Sequence, residues 1–310
     1  MTNPWDGRGL PPAATARMAR GAEGGPGASL FGISGQAALE ACGFSVVGEV
    51  MGCIVEHIGF QGYAGCGWVP SNYGNLGGFP QRYGAGPVAT RTASQGFGAY
   101  TPYVDALYHG YDTAILRMLL ECRDLRGDGV VGVTLKQTHM GEGNREFLVY
   151  GTAVRAHAKQ RPANIFSTLL PAHDVAKLLH RGWVPAGITL GIALAIRHDD
   201  FFTRQQASAW SGNTEVSGFT ELVHRVRQDA RQQFSRRVKA FGADGGILSD
   251  MTLDIWEVEP AEQHRDHVAL ASVLGTSVAR FGGGGRDPST ASLSILSLAD
   301  KTVSTIGRKS

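Results

Sequence analysis

The sequence predicts an α+β fold in which one small domain occurs twice in tandem, each copy a small antiparallel sheet with one long helix and one short helix. In the first copy, an amphipathic helix from Thr101 leads into a glycine-containing turn at residues 127–132 and then into two strands. The same order returns further along, with a helix from near Phe219 and a turn at residues 242–247. Both units end on the pattern Gly-Thr-x-Val. A repeated order of elements is more specific than any one short motif, and it predicts a duplication.

The composition is typical of a soluble globular protein. Among 310 residues, 43% are hydrophobic and 18% are charged, and the net charge of +2 gives no strong attraction to nucleic acid or to an anionic membrane. Four cysteines without a CxxC pair favour reduced thiols over a disulfide framework. The N-terminus lacks a signal-peptide pattern, and the longest apolar run, residues 43–55, is too short to span a bilayer. We therefore expect a cytoplasmic protein with no nucleic-acid partner and no membrane partner.

Changes in composition divide the chain into four segments. Residues 1–27 have almost no apolar periodicity and are predicted to be a flexible N-terminal tail. The first domain spans residues 28–157 and contains a Gly-rich insertion at 59–98, and the second domain spans residues 163–281. Residues 282–310 form a Gly-rich linker and a C-terminal tail. A short apolar stretch in that tail predicts either docking to an unknown protein or a terminal strand packed on the second domain.

The first domain opens with short elements. We predict a short strand at residues 29–31, a brief helix at 34–41 and a strand at 44–58 that contains Gly48 and Gly52. Glycines within a strand indicate a bulge or a close approach of another backbone. A subunit contact would supply such an approach.

A long helix follows the insertion, with Thr101 as N-cap and Pro102 at its first position. Gly127 is predicted to end the helix in a left-handed conformation. Alternation of apolar and polar residues at 131–136 predicts a strand with one buried face, and the turn at 141–144 leads into the next strand. The apolar stripe of the helix has helical spacing and consists of Val104, Leu107, Tyr111, Ile115, Met118, Leu119, Cys122 and Leu125.

The second domain repeats this order. A strand begins at residues 164–166, Pro171 begins a short helix that Gly182 ends, and the strand at 183–196 carries its own pair of glycines. The buried face of the second long helix is predicted to consist of Phe219, Leu222, Val226, Ala230, Phe234, Val238 and Phe241. The opposite face is basic and consists of Arg225, Arg227, Arg231, Arg236, Arg237 and Lys239. Basic residues on an outer helix face are usually solvated, so we favour that interpretation over phosphate contacts.

This order of elements resembles the YbjQ-like family, whose name refers to heavy-metal binding. The residues that carry the resemblance are 182–191, 240–247 and 275–278, with their counterparts 43–52, 127–131 and 151–154. The resemblance implies two tandem dodecin-like subunits that assemble into rings of five, with no established enzyme activity. The first copy departs from the family pattern in its turn, where Arg126 precedes Gly127, and in its enlarged middle loop.

Assembly also follows from a physical argument. A small sheet with one long helix has one uncovered face and unpaired edges, and copies of the chain would hide both. We therefore predict a non-enzymatic homo-oligomer. The family resemblance implies that this oligomer is built from pentamers. The alternatives are a dedicated metal-handling protein and an enzyme with an inter-subunit site under the Gly-rich loop. The motifs HExxH, GxSxG and the P-loop are absent from the sequence.

The candidate metal ligands lie between the last two predicted strands. His264 and His267, separated by two residues, could share a Zn²⁺ ion on one helical turn with the carboxylate of Glu262 as a third ligand. The alternative is an exposed polar hairpin. No other cofactor is expected. The turns after the two long helices contain a second set of residues, for which we predict a structural role: Gly127, Asp128, Gly242 and Asp244.

Overall fold

The computed structural model of the chain describes residues 5, 7, 9–22, 29–58, 91–92, 101–158, 164–261 and 264–280. The helices are α1 (Pro12–Ala22), α2 (Ile33–Ala41), α3 (Thr101–Asp124), α4 (Ala172–His180), α5 (Phe201–Gln206) and α6 (Ser217–Ala240). The strands are β1 (Phe44–His57), β2 (Arg91–Thr92), β3 (Gly129–His139), β4 (Asn144–Ala156), β5 (Phe166–Ser167), β6 (Trp183–His198), β7 (Gly245–Ala261) and β8 (His264–Arg280). The C-terminal tail and almost all of the Gly-rich insertion lie outside these ranges.

The strands form two sheets with the same core arrangement. The first sheet has the order β1-β4-β3-β5, and the second has the order β2-β6-β8-β7. The long strands pair antiparallel, whereas β5 pairs parallel with β3. Helix α3 packs on the first sheet and α6 on the second. The prediction of an α+β fold with two tandem domains is confirmed.

Glycine positions in β1 and β6 show how closely the two copies correspond. A Cβ atom on Gly52 would lie 2.0 Å from the backbone oxygen of Ala114 in α3, and one on Gly191 would lie 2.2 Å from that of Ala230 in α6. Each glycine therefore allows a long helix of the same chain to contact its strand. The expected subunit contact is thus not needed to explain Gly52. The first glycine of each pair, Gly48 or Gly187, lies at a shift in the strand register.

The apolar stripes of the long helices are largely as predicted. In α3, five members of the stripe are buried, and the others pack against them. In α6, the stripe is buried between Leu222 and Val238, but Phe241 is exposed. The predicted left-handed position was wrong by one residue, because Arg126 has a φ of 57° whereas Gly127 does not have a positive φ. Gly127 is instead required for space, since a Cβ there would lie 2.6 Å from the Cys122 sulfur.

Two local expectations differ from the structure, and a third segment contains a helix that was not predicted. Residues 12–22, within the predicted flexible tail, form α1. Residues 29–31 are not a strand, although the Leu30 amide donates to Thr152 Oγ1 at 3.1 Å, as the Leu169 amide does to Thr276 Oγ1 in the second copy. The connection after β6 contains the short helix α5, which has its N-cap in Asp200.

The second sheet is covered on both faces within the chain. In β6, Ala193 and Ala195 pack against α6, whereas Ile192 and Leu194 belong to the core that includes α3. Every residue from Gly187 to His198 is buried. The expectation that each sheet keeps an uncovered face is therefore wrong for the second sheet, because the helix of the first copy covers it.

Candidate functional site

The predicted metal residues fall at the end of the second sheet where β7 turns into β8. His264 and His267 both lie in β8, an extended strand, and not on a helical turn. Glu262 lies outside the described residues, as does the side chain of His264. His267 is buried, and its surroundings are therefore the part of the predicted site that the structure describes.

His267 is held between two carboxylates. Its Nδ1 lies 2.7 Å from Asp199 Oδ1, and its Nε2 lies 3.2 Å from Glu257 Oε1. The ring of Phe219, at the start of α6, lies 4.2 Å from the imidazole centroid. A second pair joins β6 to β8, since His198 Nδ1 lies 2.7 Å from Asp266 Oδ1. We call this group the histidine–carboxylate cluster, which consists of His198, His267, Asp199, Asp266 and Glu257.

The cluster favours a charged imidazolium. Burial alone would lower the pKa of His267, but the hydrogen bond and charge of Asp199, with those of Glu257, outweigh burial and raise the pKa above its ordinary value. Both ring nitrogens can donate only in the protonated form. The cluster therefore ties the ends of β6, β7 and β8 together most strongly when His267 carries its proton.

A cleft of about 430 Å³ opens beside the cluster. Its lining combines Arg204 and Arg265 with three acidic side chains, those of Asp199, Glu257 and Glu259. Both nitrogens of His267 already contact carboxylates, so in this conformation the ring offers no free lone pair to a metal ion. Among the described side chains, no group of three or more candidate ligands is arranged to hold a metal ion. The described part of the predicted site therefore does not fit a metal centre as it stands.

The two turn aspartates have matching backbone contacts. The carboxylate of Asp128 accepts the amide of Ala156 at 2.9 Å, and that of Asp244 accepts the amide of Arg280 at 2.8 Å. Each residue also donates its own amide to a central strand of its sheet, to the Val154 oxygen in β4 or to the Val278 oxygen in β8. These contacts fix the helix-to-strand turn in both copies.

The contact between the two copies is the second candidate site. Residues that lead into the second copy pair with the outer edge of β3, where the Val133 amide donates to the Thr168 oxygen at 3.0 Å and the Gly132 amide to the Leu170 oxygen at 3.1 Å. The corresponding edge in the second copy belongs to β7. Within the described ranges β7 pairs only with β8.

Helix α3 also contributes hydrogen bonds to the outer edge of β6, at Ile192, beyond the residues that pair with β2. The Ile192 amide donates to Tyr108 Oη at 2.7 Å, and Tyr108 Oη lies 3.3 Å from the Ile192 oxygen. Arg237 of α6 forms a bidentate pair with Asp112 of α3, at 2.9 and 3.2 Å, and its guanidinium lies 4.0 Å from the Tyr108 ring centroid. Tyr103 of α3 contacts Trp256 of β7 with ring centroids 6.4 Å apart. The first copy thus contributes side chains that complete the second.

Sequence reasoning missed both sites in part. Asp199 follows β6 directly, and its position next to a histidine at a strand end could have marked it as a partner for another imidazole. Tyr108 and Asp112 lie beside the apolar stripe of α3, where a polar residue gives no indication of its partner. The enzyme alternative placed a site under the Gly-rich insertion. The part of this insertion that the structure describes is β2, which pairs with β6.

Comparison with known proteins supports the predicted resemblance. Residues 90–157 match the profile of the YbjQ family, described as "Putative heavy-metal-binding". The chain is 29% identical over 258 residues to an encapsulin nanocompartment protein of Mycobacterium tuberculosis, covering 80% of this chain and 84% of that one. It is 35% identical over 90 residues to a UPF0145 protein of Psychrobacter arcticus, covering 29% of this chain and 57% of that one. No solved structure matches the chain.

The chain therefore contains a YbjQ-like domain, which the family profile places in its first copy. Membership of the second copy stays a prediction that rests on the matching contacts described above. Within the described ranges, no helix is both long and apolar enough to cross a membrane.

Proposed function

We propose that the protein is a non-enzymatic, self-assembling protein whose copies join head to tail through the interface that already joins its two domains. The observation that carries this proposal is the difference between β3 and β7. The edge of β3 pairs with the segment that opens the second copy, whereas within the described ranges the edge of β7 has no such partner. Residues 29–31 of a second copy are the equivalent of that segment, because Leu30 and Leu169 make the same bond to a threonine of their own sheet.

The exposed groups on β7 support this arrangement. Leu248 and Ile255 are 49% and 48% exposed, on a strand of 17 residues. A long edge strand with exposed apolar side chains readily pairs with another chain. Ser249 occupies the position of Val133, since both lie at the register shift before the paired residues Asp250 and Thr134. Its amide would therefore donate to the Ser29 oxygen of the second copy.

The arrangement limits the possible rings. Each chain contributes two domains, so a ring of complete chains has an even number of domain positions. A single ring of five positions, which the family resemblance implies, cannot be filled by complete chains. Self-association agrees with the name of the mycobacterial relative, which describes a nanocompartment protein.

The test is Ser249→Pro, which removes the amide that would bind the second copy. We expect the Kd of self-association to rise about tenfold or more, since one lost hydrogen bond with a steric clash is worth roughly 1.4 kcal/mol. Analytical ultracentrifugation over a concentration series measures this change. Ser249→Ala, which keeps the amide, is the matched control and should behave like the wild type.

A second variant protects this test against misfolding. Leu248→Lys places a charge on the edge without changing the backbone, and it should also weaken self-association. Circular dichroism and thermal unfolding show whether each variant is folded. Equal self-association of the wild type and both folded edge variants would contradict the proposed interface.

A divalent metal site, such as a Zn²⁺ site formed by His264, His267 and Glu262, is the second candidate. It is favoured by the description of the family and by the carboxylates that surround His267. Binding would require His267 to leave Asp199 or Glu257. Elemental analysis of untagged protein tests the idea, because His264→Ala/His267→Ala should remove bound metal. A metal content near zero in the wild type would exclude this site.

A further inference from the structure

Two charged side chains of α3 form hydrogen bonds with the free edge of β1. Glu121 of α3 is completely buried and accepts the Met51 amide at 2.8 Å, while Arg117 donates to the Cys53 oxygen at 2.6 Å. The N-terminal segment completes this surface. Arg17 of α1 forms an ion pair with Glu121. We call the surface formed by Met51, Cys53, Arg117 and Glu121 the acceptor surface.

Two further contacts hold the N-terminal segment on the acceptor surface. Arg117 donates to the Gly7 oxygen at 3.4 Å, and the Trp5 ring centroid lies 4.6 Å from the Arg117 guanidinium carbon. Trp5 is 38% exposed, so this part of the segment is only partly enclosed. These contacts of the described N-terminal residues are all made with the side chains of Arg117 and Glu121.

The acceptor surface corresponds to the surface of the second copy that binds α3. Met118 and Phe234 are equivalent, because their amides lie at the same distance of 2.6 Å from a Cβ built on Gly52 or Gly191. Three residues further along each helix stand Glu121 and Arg237. Each of the two residues forms an ion pair with the helix that packs on its copy. Glu121 pairs with Arg17 of α1, and Arg237 pairs with Asp112 of α3. Helix α1 thus pairs with the first copy at the position where α3 pairs with the second.

We propose that α1 and the outer face of α6 from a second copy compete for the acceptor surface, so that the N-terminal segment limits self-association. This inference rests on the proposed function. Within one chain, α3 packs on the second domain. In a head-to-tail assembly, α6 of one chain would pack in the equivalent position on the first domain of the next chain. That place is occupied by α1 in the single chain.

Charge complementarity identifies α6 as the competing helix. Gln228 of α6 is the counterpart of Asp112, and Arg231 follows three residues later on the exposed side of the helix. The same exposed face carries Arg227, Arg236 and Lys239. A buried carboxylate that loses its partner is strongly destabilised, so Glu121 requires a cation from whichever helix covers it. Both α1 and α6 can supply one.

Arg17→Glu in the full chain tests the competition. The substituted carboxylate repels Glu121 and should release α1, so the Kd of self-association should fall about tenfold as the acceptor surface becomes available. Arg17→Lys keeps the charge and serves as the matched control, with a Kd close to that of the wild type. A chain starting at residue 23 provides a second route to the same state and should self-associate at least as tightly.

The outcomes separate this inference from the proposed function. Unchanged self-association in Arg17→Glu and in the shortened chain, together with weakened association in Ser249→Pro, would overturn the competition and leave the head-to-tail interface intact. A wild type and shortened chain that both remain monomeric would overturn both. Limited proteolysis within α1 provides an independent readout, because Arg17→Glu should accelerate cleavage there and Arg17→Lys should not.

Discussion

The two copies of the domain have the same core but differ in what covers them. In β1, buried residues alternate with partly exposed ones, so that Val50 is buried and Val55 is 55% exposed. In the equivalent strand β6, residues are buried on both faces. The reason is position in the chain: α3 lies between the copies and covers the second, whereas the described contacts to the equivalent surface of the first come from α1 and residues 5 and 7. Two similar domains in tandem therefore leave complementary surfaces at their ends.

The largest expected effect tests whether the copies are equivalent at their cores. Gly52→Ala places a Cβ against the backbone of α3, and Gly191→Ala does the same against α6. Overpacking against a backbone cannot be relieved by a rotamer change, so each should lower the free energy of unfolding by about 3 kcal/mol or more. Denaturant unfolding monitored by circular dichroism measures both.

Gly48→Ala is the matched control for this pair. Among the described residues, the one neighbour within 4 Å of its added methyl group is the flexible end of Leu125, at 3.8 Å. Its cost should be well below that of Gly52→Ala in the same strand. A Gly52→Ala variant as stable as Gly48→Ala would show that α3 does not pack on β1 as described.

The next largest effect should follow from removing the contact between α3 and β6, which distinguishes the two copies. Tyr108→Phe removes the hydroxyl that binds the amide and oxygen of Ile192, so two backbone groups lose their partner. We expect a loss of about 1–3 kcal/mol in the free energy of unfolding. Tyr150→Phe, on the first sheet, is the control and should cost less, because its ring contact with Lys136 does not require the hydroxyl. Equal costs would contradict the assigned role of Tyr108.

A smaller effect concerns the histidine–carboxylate cluster of the second copy. The pKa of His267 is raised in the folded state, so its contribution to stability is complete below the unfolded pKa of about 6.5 and is lost as pH rises through the folded pKa. Wild-type stability should therefore fall more steeply across this window than that of His267→Gln. Thermal unfolding at a series of pH values measures the difference.

His57→Gln provides the comparison at the corresponding end of the first sheet. His57 contacts the neutral amide of Asn144, at 3.1 Å, and has no carboxylate partner among its described hydrogen bonds. Its substitution should lower the free energy of unfolding by less than that of His267, because a hydrogen bond to a neutral amide is weaker than one to a carboxylate. A His267→Gln protein with the same pH profile as the wild type would contradict the imidazolium assignment.

The smallest effect concerns the ion pair between the helices. Asp112 and Arg237 are 51% and 36% exposed, so solvent screens their interaction and a double-mutant cycle should give a coupling of about 0.2–1 kcal/mol. The Arg17–Glu121 pair should couple more strongly, because Glu121 is completely buried. The same cycle on both pairs, measured by denaturant unfolding, compares them directly. A weaker coupling for Arg17–Glu121 would contradict its place in the acceptor surface.

The sequence predicted those features that depend on local periodicity. The stripe from Val104 to Cys122 and the glycines at 48 and 52 indicated a long helix and an unusual strand, and both are present. The same patterns could not show that α3 faces two sheets, because its contacts with the second sheet involve Tyr103 and Tyr108, which lie outside the stripe. Likewise, Asp199 and His267 are separated by 68 residues, and only the pairing of β6 with β8 brings them together.

Helix α1 was missed for a related reason. Its residues have little apolar periodicity, and its position depends on an ion pair between Arg17 and Glu121, which are 104 residues apart. Glu121 in turn lies outside the predicted apolar stripe of α3, and the sequence does not indicate its burial. Long-range polar contacts of this kind leave no local pattern in a single sequence.

The most direct test of the account is the native mass of the full chain over a range of micromolar concentrations. Head-to-tail joining through β7 predicts species at whole multiples of 32.9 kDa, with larger species increasing with concentration and decreasing in Ser249→Pro. A single species of 32.9 kDa at every concentration, in the wild type and in Arg17→Glu, would contradict it.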